Sequence, residues 1–224
     1  VPWTLALPFI YLASASPRRH EILLQMGVRH EVLNVPAPPG EDEPRLAGES
    51  PDLYVRRTAR EKALRAAAWL AAHRESGRSL QLDANAPILS ADTTVILDGD
   101  ILGKPENHDD ARSMLERLSG RSHAVHTAVA LTGKGLLLED VSITEVRFKA
   151  LSPAEIDRYC ATGEPMGKAG AYGIQGKAGM FIEHISGSYT GVMGLPIFET
   201  GRLLQSIASA IAPATKKSSA SSTA

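Results

Sequence analysis

Asp92 follows the apolar run Ile88-Leu89-Ser90-Ala91 and precedes Thr93-Thr94, so a carboxylate stands where a buried strand turns polar. A carboxylate there is costly unless it is paired or metal-bound. It suits Mg²⁺, which takes one or two carboxylates together with water and substrate phosphates. The competing reading is a turn aspartate that bonds local N–H groups. A second carboxylate is on offer from Glu41, Asp42 or Glu43, a run that otherwise reads as a solvated acidic loop. Four basic side chains face the same question. Lys62 and Lys104 taken singly read as surface charges, although Gly103-Lys104-Pro105 directly after a hairpin fixes where that ammonium points. Arg18 and Arg19 stand beside Ser14 and Ser16 at the start of a helix, where orphan N–H donors and a partial positive charge attract phosphate. The plain alternative is a capped helix with two solvated arginines. Gln175, between Gly173 and Gly176, is an amide in a loop that allows close backbone approach; it either meets a donor–acceptor edge or bonds its own loop.

The elements that must position these groups follow from periodicity and punctuation. Phe9 to Ala13 reads as a buried strand, and Ser16-Pro17 as an N-cap and first helical position, opening a helix to Met26 that Gly27 stops. A second strand is expected near Glu31 to Val35, then an acidic, proline-rich loop, Pro36 to Pro44. Ser50-Pro51 opens a long helix to about Arg74. Tyr54, Thr58 and Lys62 share one face of it at i, i+4 and i+8. After a polar connection, Glu75 to Ala86, a strand over Ile88 to Asp92 leads into a hairpin, Thr93 to Leu97 and Asp100 to Leu102, turned at Asp98-Gly99. Asn107 caps a helix with Ala111, Met114, Leu115 and Leu118 at helical spacing. Strands His123 to Leu131 and Leu136 to Phe148 follow, then a capping box at Ser152-Pro153-Ala154-Glu155. A glycine-rich segment, Gly163 to Gly179, precedes a strand near Met180 to Ile185. Gly187 to Pro196 reads as a loop, and a last helix ends near Ile211. Alternating helices and strands with hairpins among them imply an α/β fold on a mixed sheet. Residues 1–211 are expected to form a single domain and 212–224 a disordered tail.

Composition narrows the function classes. A formal net charge of −1 with no global basic excess argues against long nucleic acid as a partner. The N-terminal apolar run is broken by Pro2 and Pro8 and has no preceding positive charge, so it reads neither as a signal peptide nor as a membrane span. With Cys160 as the single cysteine, no intrachain disulfide can form, and a cytoplasmic location is expected. Several motifs fail. Gly163-Glu164-Pro165-Met166-Gly167-Lys168-Ala169 has one residue too few for a phosphate loop and lacks its hydroxyl. His123 and His126, three apart in a strand, face opposite ways and cannot share a metal. Cys160 reads as core rather than nucleophile.

Leu12-Ala13-Ser14-Ala15-Ser16-Pro17-Arg18-Arg19, Ala59-Arg60-Glu61-Lys62-Ala63, Ser90-Ala91-Asp92-Thr93, Leu102-Gly103-Lys104-Pro105 and Leu118-Ser119-Gly120-Arg121-Ser122-His123 occur in that order. Lys168-Ala169-Gly170-Ala171-Tyr172-Gly173-Ile174-Gln175-Gly176 and Gly187-Ser188-Tyr189 with Gly194-Leu195-Pro196 complete the series. Together they resemble the Maf family of nucleoside triphosphate pyrophosphatases, over about Phe9 to Leu204.

The resemblance implies an elongated mixed α/β fold similar to that of inosine triphosphate pyrophosphatases, with a cleft between two lobes. It implies hydrolysis between the α and β phosphates with a divalent metal, Mg²⁺ or Mn²⁺. On that footing Asp92 is the proton acceptor and, with Glu43, a metal ligand; Ser14, Arg18, Arg19, Lys62 and Lys104 surround the triphosphate. Specificity falls to Arg18, Thr93 and Gln175, a pattern that resembles family members acting on dTTP and UTP rather than on 7-methyl-GTP. A small-molecule nucleotide is then the partner, with a homodimer as the family expectation. The family's link to septum formation leaves a binding role in cell division as the alternative. Gly167 departs from the pattern, since the family usually carries Asp before this Lys-Ala-Gly.

Overall fold

A computed structural model describes residues 7–38, 43–75, 83 and 85–211. Glu41 and Asp42, most of the connection after the long helix, and the tail from residue 212 lie outside the described residues. The elements are β1 (Ile10–Leu12), α1 (Pro17–Gln25), β2 (His30–Val32), α2 (Pro51–Glu75), β3 (Ile88–Leu97), β4 (Asp100–Leu102) and α3 (His108–Leu118). Then come β5 (Ser122–Gly133), β6 (Leu136–Phe148), α4 (Pro153–Cys160), β7 (Ile182–Ser186), α5 (Tyr189–Met193) and α6 (Ile197–Ile211). Among the described residues seven strands make one sheet in the order β2-β1-β3-β5-β6-β7, with β4 also on β3. The pairs β1–β2 and β1–β3 are parallel and the others antiparallel, as a mixed α/β sheet requires. No described helix is long and apolar enough to cross a membrane.

Strand alternation sorts the central sheet into two faces. Ser90 and Asp92 on β3, with Ala128 and Ala130 on β5, face α2, which presents Val55, Ala59 and Ala63. These small side chains let helix and sheet approach closely enough for the Ser90 hydroxyl to donate to the carbonyl of Ala59 at 2.6 Å. Leu89, Ala91, Val129 and Leu131 face the other way, onto Ile22 and Leu23 of α1 and Leu203, Leu204 and Ile207 of α6. A further cluster joins Val95 and Leu97 to Leu115, Phe148, Tyr159 and Tyr172.

Five sequence expectations shift. The second strand is shorter and ends at Val32, after which residues 33–37 run along a cleft. Asp92 does not end a strand. β3 runs unbroken to Leu97 because β5 pairs with it from Ile88 to Ile96, so the polar Thr93-Thr94 pair is carried inside the sheet. Residues 187–196 contain the short α5, capped by Ser188. Met180 belongs to a 3₁₀ turn, Lys177–Phe181, before β7. Ser16 occupies the N-cap of α1 without a side-chain cap bond; instead Ser14 Oγ accepts from the Ser16 amide at 3.2 Å. The caps at Asn107 and Ser152, the Asp98-Gly99 turn and buried Cys160 are as expected.

Candidate active site

A gap in strand pairing opens the cleft. On one edge of β3, β1 pairs only as far as Leu89 and β4 begins at Val95. Between them the chain leaves the sheet on both sides, and the edge at Asp92–Thr93 borders a cavity of about 730 Å³. That volume lies within the usual range for small-molecule sites. Ser14 to Arg19, residues 33–37, Glu43, Lys62, Arg65, Asp92, Thr93, Lys104, Gly167–Ala169 and Val192–Gly194 line it, with Val95, Val125 and Tyr172 at its apolar end.

At the α2 wall three side chains form one acid–base cluster. Lys62 Nζ is 2.7 Å from Asp92 Oδ1 and also pairs with Glu43 Oε1. Thr58, one turn earlier, lies 2.8 Å from Asp92 Oδ2. Burial pushes the Asp92 carboxyl up, but the Lys62 charge and hydrogen bond, Arg19 and Thr58 together outweigh it and hold Asp92 below the ordinary aspartate range. Tyr54, a further turn back, donates its hydroxyl to the Glu43 carbonyl at 3.2 Å. Arg57 donates to the Pro44 carbonyl at 2.9 Å and pairs with Glu49. One face of α2 thus holds both carboxylates, and it is the face that the Tyr54, Thr58, Lys62 spacing picks out.

Across the cleft, α1 delivers two arginines to different duties. Arg19 is a brace: Nε donates to Gly194 O at 2.8 Å, Nη1 to Ser14 Oγ at 3.0 Å and Nη2 to Thr93 Oγ1 at 3.4 Å. Burial lowers its guanidinium from the usual arginine value, Asp92 raises it and Arg18 lowers it. Thr127 Oγ1 lies 3.0 Å from Thr93 Oγ1 and 2.7 Å from the carbonyl of Gly191. A carbonyl only accepts, so Thr127 gives it its one proton and Thr93 gives its own to Thr127. Arg18 donates Nε to Met193 O at 3.2 Å, leaving the other guanidinium nitrogens for the cleft. Lys104 lines the cleft at the end of β4, where Gly170 N donates to Gly103 O at 3.0 Å and ties the glycine-rich loop to the hairpin.

Of the residues named from sequence, Ser14, Arg18, Arg19, Glu43, Lys62, Asp92, Thr93 and Lys104 line one cleft. Gln175 does not: it is exposed and outside the lining. His123 and His126 point to opposite faces, the first 2.8 Å from Tyr172 Oη and the second 3.7 Å from Asp52. Thr58, Tyr54, Thr127 and Lys168 carry positional or lining roles that residue type alone did not reveal. Helical spacing marked the first two, Lys168 stood within a glycine-rich motif with no role assigned to it, and nothing local marked Thr127.

The model of the family described as "Maf-like protein" matches residues 9–207. The chain belongs to the Maf family. Among similar Maf proteins, the dTTP/UTP pyrophosphatase of Bordetella pertussis is 63% identical over 204 residues, covering 91% of this chain and 95% of the relative. Proteins of the same name from Chromobacterium violaceum and Ralstonia nicotianae are 55% and 52% identical, covering 87% and 88% of this chain and 92% and 93% of the relatives. In this Maf chain, position 167 is a left-handed glycine with φ of 72°, and a Cβ there would meet nothing within 4 Å. The loop it begins is nonetheless held, by Lys168 N to Pro165 O at 3.3 Å and Ala171 N to Lys168 O at 3.0 Å.

The donor set fits a hard divalent cation. Among the described residues no three His, Cys, Asp or Glu side chains come together in a metal cage. Yet the Lys62 ammonium touches both Glu43 and Asp92, so the two carboxylates reach a common cation-sized position. Two carboxylates completed by water and phosphate oxygens is the arrangement Mg²⁺ favours.

Proposed function

We propose that this Maf chain hydrolyses dTTP and UTP to the nucleoside monophosphate and pyrophosphate. The observation that carries the reading is a buried Asp92 held ionised by Lys62 and Thr58, with Glu43 alongside, in a cleft whose other wall is basic. The names of relatives more than half identical along nearly the whole chain support the substrate assignment.

Asp92 accepts the proton of the attacking water, a role that needs an ionised carboxylate. Lys62 and Thr58 keep it ionised and fix its orientation. Glu43 and Asp92 are the residues that would hold Mg²⁺ or Mn²⁺. Such an ion, when bound, neutralises charge on the phosphate oxygens. Arg18, Lys104 and the N–H groups at the start of α1 bind the triphosphate and stabilise the charge that builds on the departing pyrophosphate. Arg19 contributes mainly as the brace that keeps Ser14, Thr93 and Gly194 in place.

The test is pyrophosphate release from dTTP, UTP, CTP, 7-methyl-GTP, ITP and the standard purine triphosphates with Mg²⁺ or Mn²⁺, using Asp92→Asn as control. Turnover of dTTP and UTP that the variant loses is the expected result. Turnover of 7-methyl-GTP instead overturns the substrate assignment. No turnover by the parent chain, with a cellular effect retained by Asp92→Asn, replaces hydrolysis with a binding role.

A further inference from the structure

The cleft has a polar end and an apolar end, and Lys168 brings a cation to the apolar side. Val95, Val125 and Tyr172 line that end and belong to one packed cluster, with Ala169 and Val192 against it. Tyr172 turns its hydroxyl away, to His123 at 2.8 Å, so its ring is what remains for the cleft. Lys168 adjoins Ala169 and lines the same end. It is a held side chain. Its ammonium donates to the carbonyl of Glu164, and its stem lies across Gly173, where a Cβ would come within 3.1 Å of Lys168 Cδ and Cε. The same Cβ would lie 3.6 Å from Gln175 Oε1. Gln175 therefore stands outside the cleft but against the strip of backbone that carries the Lys168 stem.

Lys168 and Arg18 both line the cleft, close enough for the Arg18 charge to act on the Lys168 ammonium. Burial lowers the Lys168 ammonium first and Arg18 second, with Glu164 opposing. Both side chains are donors and neither can accept. Thr93, the neighbouring hydroxyl, gives its proton to Thr127 and sits under Arg19. The side chains at this end thus offer cationic donors beside an apolar wall. A flat, mostly apolar ring whose rim carries carbonyl acceptors matches it; a rim carrying an amino group does not.

Resting on the pyrophosphatase reading, we propose that Lys168 is the residue by which the cleft selects uracil and thymine over cytosine, donating to a ring carbonyl. Gln175 is a positioning residue that acts through it. Uracil and thymine present an acceptor at position 4 where cytosine presents an amino donor. An ammonium fixed against the wall bonds the first and repels the second. The Asp92 cluster at the other end then receives the phosphates, which orients the nucleotide along the cleft.

The experiment compares kcat/KM for UTP, dTTP and CTP in the parent chain, Lys168→Met, Lys168→Arg, Gln175→Ala and the Lys168→Met/Gln175→Ala double variant. Circular dichroism melts verify folding. A hydrogen bond from a charged donor corresponds to roughly 10- to 100-fold in affinity. Lys168→Met is expected to lower kcat/KM for UTP and dTTP by about that factor, with CTP changed less than about threefold. Lys168→Arg keeps most of the preference. Gln175→Ala lowers the UTP/CTP ratio in the parent chain and leaves it unchanged in the Lys168→Met background. An equal loss on all three nucleotides would make Lys168 a phosphate ligand and overturn the proposal, as would no loss on any. If the parent chain turns over none of them, the pyrophosphatase reading itself has failed, which is a separate outcome.

Discussion

Replacing Thr58 by Val tests what keeps Asp92 ionised. Thr58 is fully buried, Val matches its shape, and both are β-branched, so packing and helix preference change little. What disappears is the hydroxyl donor 2.8 Å from Asp92 Oδ2. The other acceptors within its reach, the carbonyls of Tyr54 and Val55, lie in the body of α2. A hydrogen bond to a charged group contributes about 1.5–3 kcal/mol. Since one pH unit corresponds to about 1.4 kcal/mol, Asp92 should titrate roughly 1–2 units higher in the variant. The sign follows from linkage. Asp92 is depressed in the folded state, so its contribution is fully present above the unfolded aspartate value, near 3.9, and is lost as pH falls through the folded value. The stability deficit of Thr58→Val is therefore largest at neutral pH and closes on acidification. The acid limb of the kcat/KM profile should move upward by the same 1–2 units. That limb belongs to the Asp92–Lys62–Glu43 cluster as a whole, so its displacement between variant and parent is the quantity to read. Urea titrations from pH 3 to 8 and pH–rate profiles with UTP provide both readouts. An acid limb that stays in place while stability drops would sink the assignment of Asp92 as the ionised base.

Burial holds the His123 imidazole down at about 4, against about 6.5 in an unfolded chain, so stability should fall as pH drops below 6.5, by about 2 kcal/mol at pH 5. His123→Phe should remove that part of the pH dependence in urea midpoints while leaving the contribution of His126, which burial also lowers. Gly167→Asp places a carboxylate at a left-handed, open position on the cleft, at a cost of about 1 kcal/mol. It should lower the Mg²⁺ or Mn²⁺ concentration needed for half-maximal turnover; an unchanged metal titration would mean position 167 has no part in cation binding.

The sequence was most legible where one periodicity decides position. Tyr54, Thr58 and Lys62 are brought to a common face by α2 alone, and the structure puts all three onto Glu43 and Asp92. From the residues alone Glu43 was one of three carboxylates, and it was the family resemblance that picked it out. Its placement depends on grips from the far side of the loop, Tyr54 on its carbonyl and Arg57 on the next. Asp92 was recognisable in type but misplaced at a strand end, because Thr93-Thr94 reads as a polar exit until β5 is laid beside it. The glycine-rich loop was the least legible. Positive φ at Gly167 and Gly170, and at Ala171, sets its path, and its attachment runs to Gly103, distant in sequence. Which of its side chains reach the cleft is a long-range outcome, so Gln175 drew attention while Lys168 lines the wall.

The division between the charged and the neutral side of the cleft comes down to one step along β3. Asp92 and Thr93 are adjacent, and strand geometry sends them to opposite faces. Asp92 goes to α2, where Lys62 and Thr58 hold a charge. Thr93 goes to α1 and α5, where Arg19 and Thr127 hold a neutral hydroxyl. Both still reach a single cleft only because neither β1 nor β4 covers that stretch of strand edge. Had β1 continued two residues further, the edge would be paired and the cleft closed. Had β3 ended at Asp92, the carboxylate would lie at a solvated turn, where pairing with Lys62 contributes little. The long central strand keeps Asp92 buried and its pairing strong, and the missing edge partner lets substrate in. The site therefore requires both the full length of β3 and the gap on its edge.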